Sequence, residues 1–133
     1  MILFSDGEDN MSWLGDSQMR RMVERSNALI HVVATRAQDF ESGVVLRGGA
    51  PEPPYLKRLR ELAELTAGSL IEARSLDGIA VAFTSIIERM KGRYVLRYAP
   101  ESTPASGWHK LDLAVASKKG KVRGRAGYWV DPR

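Results

Sequence analysis

The stretch MILFSDGEDN, residues 1–10, places four apolar residues ahead of a serine and then runs into Asp6-Gly7 and an acidic cluster. Residues 2–5 form a short apolar run without polar alternation, the pattern of a β-strand covered on both faces. Asp6 and Gly7 end it as a turn, since an Asp carboxylate accepts backbone bonds and Gly supplies a positive φ. A strand of this kind belongs inside a parallel sheet, so these ten residues point to an α/β fold.

The chain that follows repeats the unit. After DGEDNMSWLG, residues 6–15, a helix is predicted over residues 17–25, with Asp16 as N-cap, Met19, Met22 and Val23 at helical spacing, and Asn27 near its end. ALIHVVAT, residues 28–35, is rich in β-branched residues and reads as a second strand. Residues 36–54 contain glycines and prolines without a clear period. A loop of that length in a compact domain is either functional or a solvated insertion. A second helix is predicted over residues 55–66, with Leu56, Leu59, Leu62, Ala63 and Thr66 on one face and Gly68 stopping it. SLIEA, residues 69–73, is a third strand. Ser75 then caps a helix in which Ile79, Ala82, Phe83, Ile86, Ile87 and Met90 recur at helical spacing, ended by Gly92.

Beyond Gly92 the period changes. RYVLRYAP (93–100) and HKLDLAVAS (109–117) alternate, and VRGRAGYWV (122–130) is again strand-like, with turns ESTPASG and KKGK between them. The expected organisation is therefore α/β. Residues 1–92 supply three βα units of a doubly wound parallel sheet, and residues 93–133 supply an antiparallel three-stranded β-meander.

With 133 residues, 44% apolar and 27% charged, the chain has the composition of one globular domain. No run approaches the ~18 apolar residues of a membrane helix. No signal peptide is expected, because the first basic residue is Arg20 and no charged leader precedes an apolar run. Cys is absent, which excludes disulfides and Cys-based metal sites. The formal charge of +4 is unevenly spread. Residues 1–92 carry 11 basic and 13 acidic side chains, net −2, and residues 93–133 carry 9 and 3, net +6. Lys118, Lys119, Lys121, Arg123 and Arg125 could attract phosphates. No aromatic platform for bases is interleaved with them, so no nucleic-acid partner is expected, and they read as solvated charges that discourage strand aggregation.

In a doubly wound sheet the loops after the strands share one edge, where ligands bind. That edge is expected to collect Ser5, Asp6, Gly7, Glu8, Asp9 and Asn10, together with the 36–54 segment. A strand-end carboxylate beside a hydroxyl suits a hard cation such as Mg²⁺ or Ca²⁺, although on residues alone the turn reading of Asp6 is the stronger. DGEDN lacks the spacing and the twelfth-position Glu of an EF-hand. His31 reads as a core or sheet-face histidine and His109 as a surface one. Trp13, Trp108 and Trp129 read as packing residues. No Ser-His-Asp set, G-x-S-x-G elbow or P-loop is present, so no enzyme is expected.

Taken in order, ILFSDGEDN, a helix, ALIHVVAT, a helix and SLIEA resemble the second half of a von Willebrand factor type A (VWFA) domain. TAG, YVLRYAP, HKLDLAV and VRGRAGYW are similar to segments of the bacterial, Acidobacteria-type VWFA-related proteins. The resemblance covers essentially the whole chain. It implies a Rossmann-like three-layer fold and a non-enzymatic binding or adhesion module. In that family a metal-ion-dependent adhesion site uses a divalent cation, Mg²⁺ or another, to bridge to a carboxylate of a protein ligand. The site draws on an Asp-x-Ser-x-Ser motif, a Thr from a middle loop and the Asp of a Ser/Thr-Asp-Gly turn. Only the last has a match here, Asp6, with Ser5 beside it and Glu8, Asp9 and Asn10 on the ligand rim.

The co-ligands are expected upstream of Met1, in a half that this chain lacks. The cation then belongs to the full-length parent, and tight binding by this chain is not expected. The strand over residues 2–5 would present an apolar edge prone to self-association. The partner is an unidentified protein, and the family suggests an exported, periplasmic or extracellular setting. The alternative is a Mg²⁺-dependent phosphotransfer or hydrolase domain built on Asp6, with Glu72 or Arg74 as the second strand-end group.

Overall fold

Strands β1 (Ile2–Ser5), β2 (His31–Thr35) and β3 (Leu70–Ala73) pair in parallel in the order β1-β2-β3 in a computed structural model that describes residues 1–6, 15–35, 52–97, 105–116 and 122–132. Expectations for residues 7–10, Trp13, the loop residues 36–51, and Lys118, Lys119 and Lys121 lie outside the described residues. Every residue of β2 is buried, as its unbroken apolar run requires of a central strand. In register, Ile2 lies opposite His31, and Val33 lies between Phe4 and Ile71.

Alternation along β2 divides the core in two. Val32 and Ala34 face α1 (Asp16–Arg25) and α2 (Pro54–Leu65), packing with Val23, Leu56, Ala63 and Leu65. Val33 faces the other way, toward Ala82 and Ile86 of α3 (Leu76–Lys91). Helices thus cover both faces of β2, but β1 is not the doubly covered strand its apolar run predicts: among the described residues it is an edge strand with Leu3 and Phe4 exposed on opposite faces. Leu56 and Ile86 are completely buried, and a leucine or isoleucine side chain so placed contributes about 1.5–3 kcal/mol. Among the described residues no helix is long and apolar enough to cross a membrane.

The helix ends follow local chemistry, with one correction. Asp16 is not the N-cap of α1 but its first helical residue. Gly15 holds the extended cap conformation: its carbonyl accepts the Gln18 and Met19 N–H groups (2.9 and 3.1 Å), and its own N–H donates to Gln18 Oε1 (3.0 Å). That is the glutamine half of a capping box, and it leaves the Asp16 carboxylate to accept from Arg58 of α2 at 3.1 Å. Pro54 opens α2, where its missing N–H costs nothing. Ser75 caps α3 as predicted, accepting the Gly78 N–H at 3.0 Å.

The end of α2 is a Schellman turn. Gly68 N–H donates to Ala63 O (2.7 Å) and Ala67 N–H to Glu64 O (3.0 Å). The left-handed position is held by Ala67, at φ +64°, and not by glycine. Gly68 serves a different need, because a Cβ on it would fall on the Ile30 carbonyl.

The C-terminal region departs from the expected meander. Among the described residues it has two strands, β4 (Gly107–Lys110) and β5 (Gly127–Val130), paired antiparallel with Trp108 opposite Trp129 and His109 opposite Tyr128. Residues 93–97 and 111–115 belong to no strand. The Leu111 N–H still donates to Ala126 O (2.9 Å) just beyond the β4–β5 ladder, but the pairing does not continue as a strand, and residues 93–97 pair with no strand among the described residues.

The hairpin is fixed to the first unit. Trp108 packs on the α1–α2 core, and the Arg25 guanidinium lies 4.8 Å from the centre of the Trp129 ring. Ala126 N–H donates to Leu65 O (3.2 Å), while Arg93 and Arg123 donate to Ala67 O (2.9 Å) and Gly68 O (3.2 Å). The last α2 carbonyl and the two carbonyls of the turn that follows it are therefore met by donors from residues 93–126.

Candidate functional site

All three parallel strands end at one edge of the sheet, and that edge is where this fold offers a site. β1 delivers Ser5 and, just past it, the exposed Asp6; β2 delivers the buried Thr35; β3 delivers Ala73, followed by exposed Arg74 and Ser75. Ser75 is committed to capping α3. Ser5, Ala34 and Glu72 form one row across the sheet, on the α1–α2 face. Ser5 and Glu72 are thus two strand spacings apart, roughly 10 Å.

Glu72 is not a second acid for Asp6. Its carboxylate lies 3.5 Å from Arg60 Nη2, and that guanidinium bonds Glu52 more closely, at 2.7 Å. The Glu52 hydrogen bond, and then the charges of Glu52 and Glu72, hold Arg60 above its ordinary pKa. The hydrolase alternative therefore loses one of its two partner groups.

Mg²⁺ and Ca²⁺ need six or more oxygen ligands, several of them from protein. Among the described residues no three His, Asp or Glu side chains come together as a metal group. Asp6 and Ser5 alone do not form a cation site of this kind. Glu8, Asp9 and Asn10 lie outside the described residues.

The two histidines are elsewhere. His31 begins β2 at the opposite edge, on the α3 side of the sheet, and is almost wholly buried. Its Nδ1 is 3.0 Å from Ser69 Oγ, and its Nε2 has no partner among the described residues. Burial chiefly, and then the positive charges of Arg93, the Met1 ammonium, Arg89 and Arg123, push its pKa below 6.5. His109 stacks on Tyr128, with ring centres 5.2 Å apart, and its Nε2 donates to Ala105 O.

One feature is invisible to pattern reading. A cavity of about 170 Å³ lies between α1 and α2, walled by Met19, Leu62 and Leu65 and rimmed by Asp16, Arg58 and Glu61. Each helix shows its own apolar stripe in the sequence, but the gap between them depends on how they pack. The Asp16–Arg58 pair at its rim is a contact between the two helices.

No protein-family model, no curated protein and no solved structure matches this chain.

Proposed function

We propose that this chain is a non-enzymatic protein-binding module, equivalent to the second half of a VWFA-like domain, with Asp6 marking the edge that faces the ligand. The observation that carries the reading is the position of Asp6: an exposed carboxylate at the C-terminal end of a strand in a parallel sheet whose central strand is covered by helices on both faces. Neither a second strand-end acid nor a histidine accompanies it among the described residues, which favours binding over acid–base chemistry. In a complete VWFA-like site, Asp6 and Ser5 would be two of several oxygen donors around a divalent cation, and a carboxylate of the protein ligand would complete the set.

The test is a pair of measurements on the intact chain. Calorimetric titration with Mg²⁺ and Mn²⁺ is expected to show no saturable one-to-one binding. Stoichiometric binding that disappears in Asp6→Ala would show that the chain holds a complete site of its own. Mg²⁺-dependent hydrolysis of p-nitrophenyl phosphate that disappears in Asp6→Asn would replace the binding module with a phosphohydrolase.

A further inference from the structure

Two strand-forming features of this chain have no ladder partner among the described residues, and each supplies what the other needs. The first is the outer edge of β1. The His31 N–H donates to the Met1 carbonyl (3.0 Å), which sets the phase of the ladder. Alternate residues of a parallel strand serve one neighbour, so Leu3 and Ser5 turn their peptide groups to β2, and Ile2 and Phe4 turn theirs outward. The side chains there are apolar and open to solvent: Leu3 is exposed on one face of the sheet, and Phe4, 51% exposed, on the other.

The second feature is RYVLR, residues 93–97. Tyr94, Val95 and Leu96 are 92%, 86% and 75% exposed, in a segment that is neither helix nor strand. Tyr94 and Val95, both of high β-propensity, and the apolar Leu96 gain burial and backbone pairing by joining a sheet edge. Charge favours the same match. β1 ends at Asp6, and the segment ends at Arg97, which forms no ion pair among the described residues.

We infer that residues 94–96 of one copy of this chain add as a further parallel strand to the β1 edge of a second copy, with Arg97 against the second copy's Asp6. Parallel addition continues the direction of the existing sheet. It leaves Arg93 on the Ala67 carbonyl, away from the acidic end. Edge-to-edge pairing of two β1 strands would cover Phe4 but leave Tyr94, Val95 and Leu96 in water. The contact is heterologous, one donor and one acceptor per copy, so association is open-ended unless the rotation closes a ring.

Sedimentation velocity on the full chain and two single variants tests the inference. Val95→Pro disables the donor at a side chain that is almost fully exposed. Phe4→Pro removes an N–H that points away from β2, which an edge strand tolerates. The wild-type chain is expected to gain mass from low to high micromolar concentration, and each variant alone to remain monomeric. An equimolar mixture is expected to form a closed heterodimer of twice the monomer mass, because each variant retains the half the other lacks. A monomeric wild type, a Val95→Pro variant that still associates, or a mixture that stays monomeric overturns the inference. Far-UV circular dichroism checks that Phe4→Pro is folded; if it is not, Phe4→Lys replaces it at the same edge.

Discussion

Thr66 Oγ1 accepts the Ile30 N–H across 3.0 Å and donates its own proton to Ala63 O at 3.0 Å, linking the start of β2 to the end of α2 over 36 residues of sequence. The hydroxyl is buried, so no water substitutes for it. Thr66→Val keeps the shape but strands the Ile30 donor, and a loss of about 1–3 kcal/mol in urea unfolding is expected. Thr66→Ser retains the oxygen and is expected to recover most of that loss.

Beside it, Ala67 and Gly68 divide two tasks that a helix end often gives to one glycine. Ala67 carries the left-handed backbone, and Gly68 gives the Ile30 carbonyl room. Gly68→Ala drives a methyl into a backbone group that has nowhere to move, and a loss above about 3 kcal/mol is expected. For Ala67→Gly, relief of the positive-φ cost opposes the lost methyl burial and the freer unfolded chain, so a change within about 1 kcal/mol is expected. Equal sensitivity of the two positions in thermal denaturation would contradict this division.

His31 makes stability depend on pH with a definite sign. Its folded pKa lies below 6.5, for burial first and then for the positive charges of Arg93, the Met1 ammonium, Arg89 and Arg123. The unfolded chain therefore binds the proton more readily. The neutral side chain's contribution is fully present above pH 6.5 and is lost as pH falls below it toward the folded pKa. One such group gives a slope of at most about 1.4 kcal/mol per pH unit. Urea midpoints between pH 7.5 and 5 should fall in the wild type, and the slope should flatten in His31→Leu even though that variant is less stable throughout.

The three-stranded sheet was legible because residues 2–4 and the run around Val32 and Val33 are continuous apolar stretches; β2 is buried throughout, as such a run requires, whereas Leu3 and Phe4 of β1 are exposed, because composition alone does not show whether a neighbour covers a strand. The last helix was legible because Ser75 and its apolar stripe agree. The cap of α1 was misread, since Asp16 is the better capping residue by type, yet Gln18 bonds the Gly15 N–H and Asp16 is drawn to Arg58. Residues 93–97 alternate like a strand, but alternation does not say whether a partner is within reach. At the candidate site, the strand-end position of Asp6 followed from local pattern. The diversion of Glu72 to Arg60 did not, because it depends on how α2 crosses β3.

Gly127 tests whether the hairpin and the parallel sheet unfold together. A Cβ on Gly127 would strike the His109 carbonyl and the Trp108 ring, both across the β4–β5 ladder, so Gly127→Ala pushes the strands apart and displaces Trp108. Trp108 packs on the same core as Val23, Leu56 and Leu65, and the Ala126 N–H caps the Leu65 carbonyl. Damage to the hairpin therefore reaches α2 directly. A loss of about 1–3 kcal/mol is expected, as for other overpacked sites. Tryptophan fluorescence and far-UV circular dichroism should report one coincident unfolding transition for the wild type and for Gly127→Ala. If the fluorescence transition instead shifts to lower denaturant while the circular dichroism transition stays in place, the hairpin is an appendage that melts alone, and its contacts with α1 and α2 contribute little to the stability of the sheet.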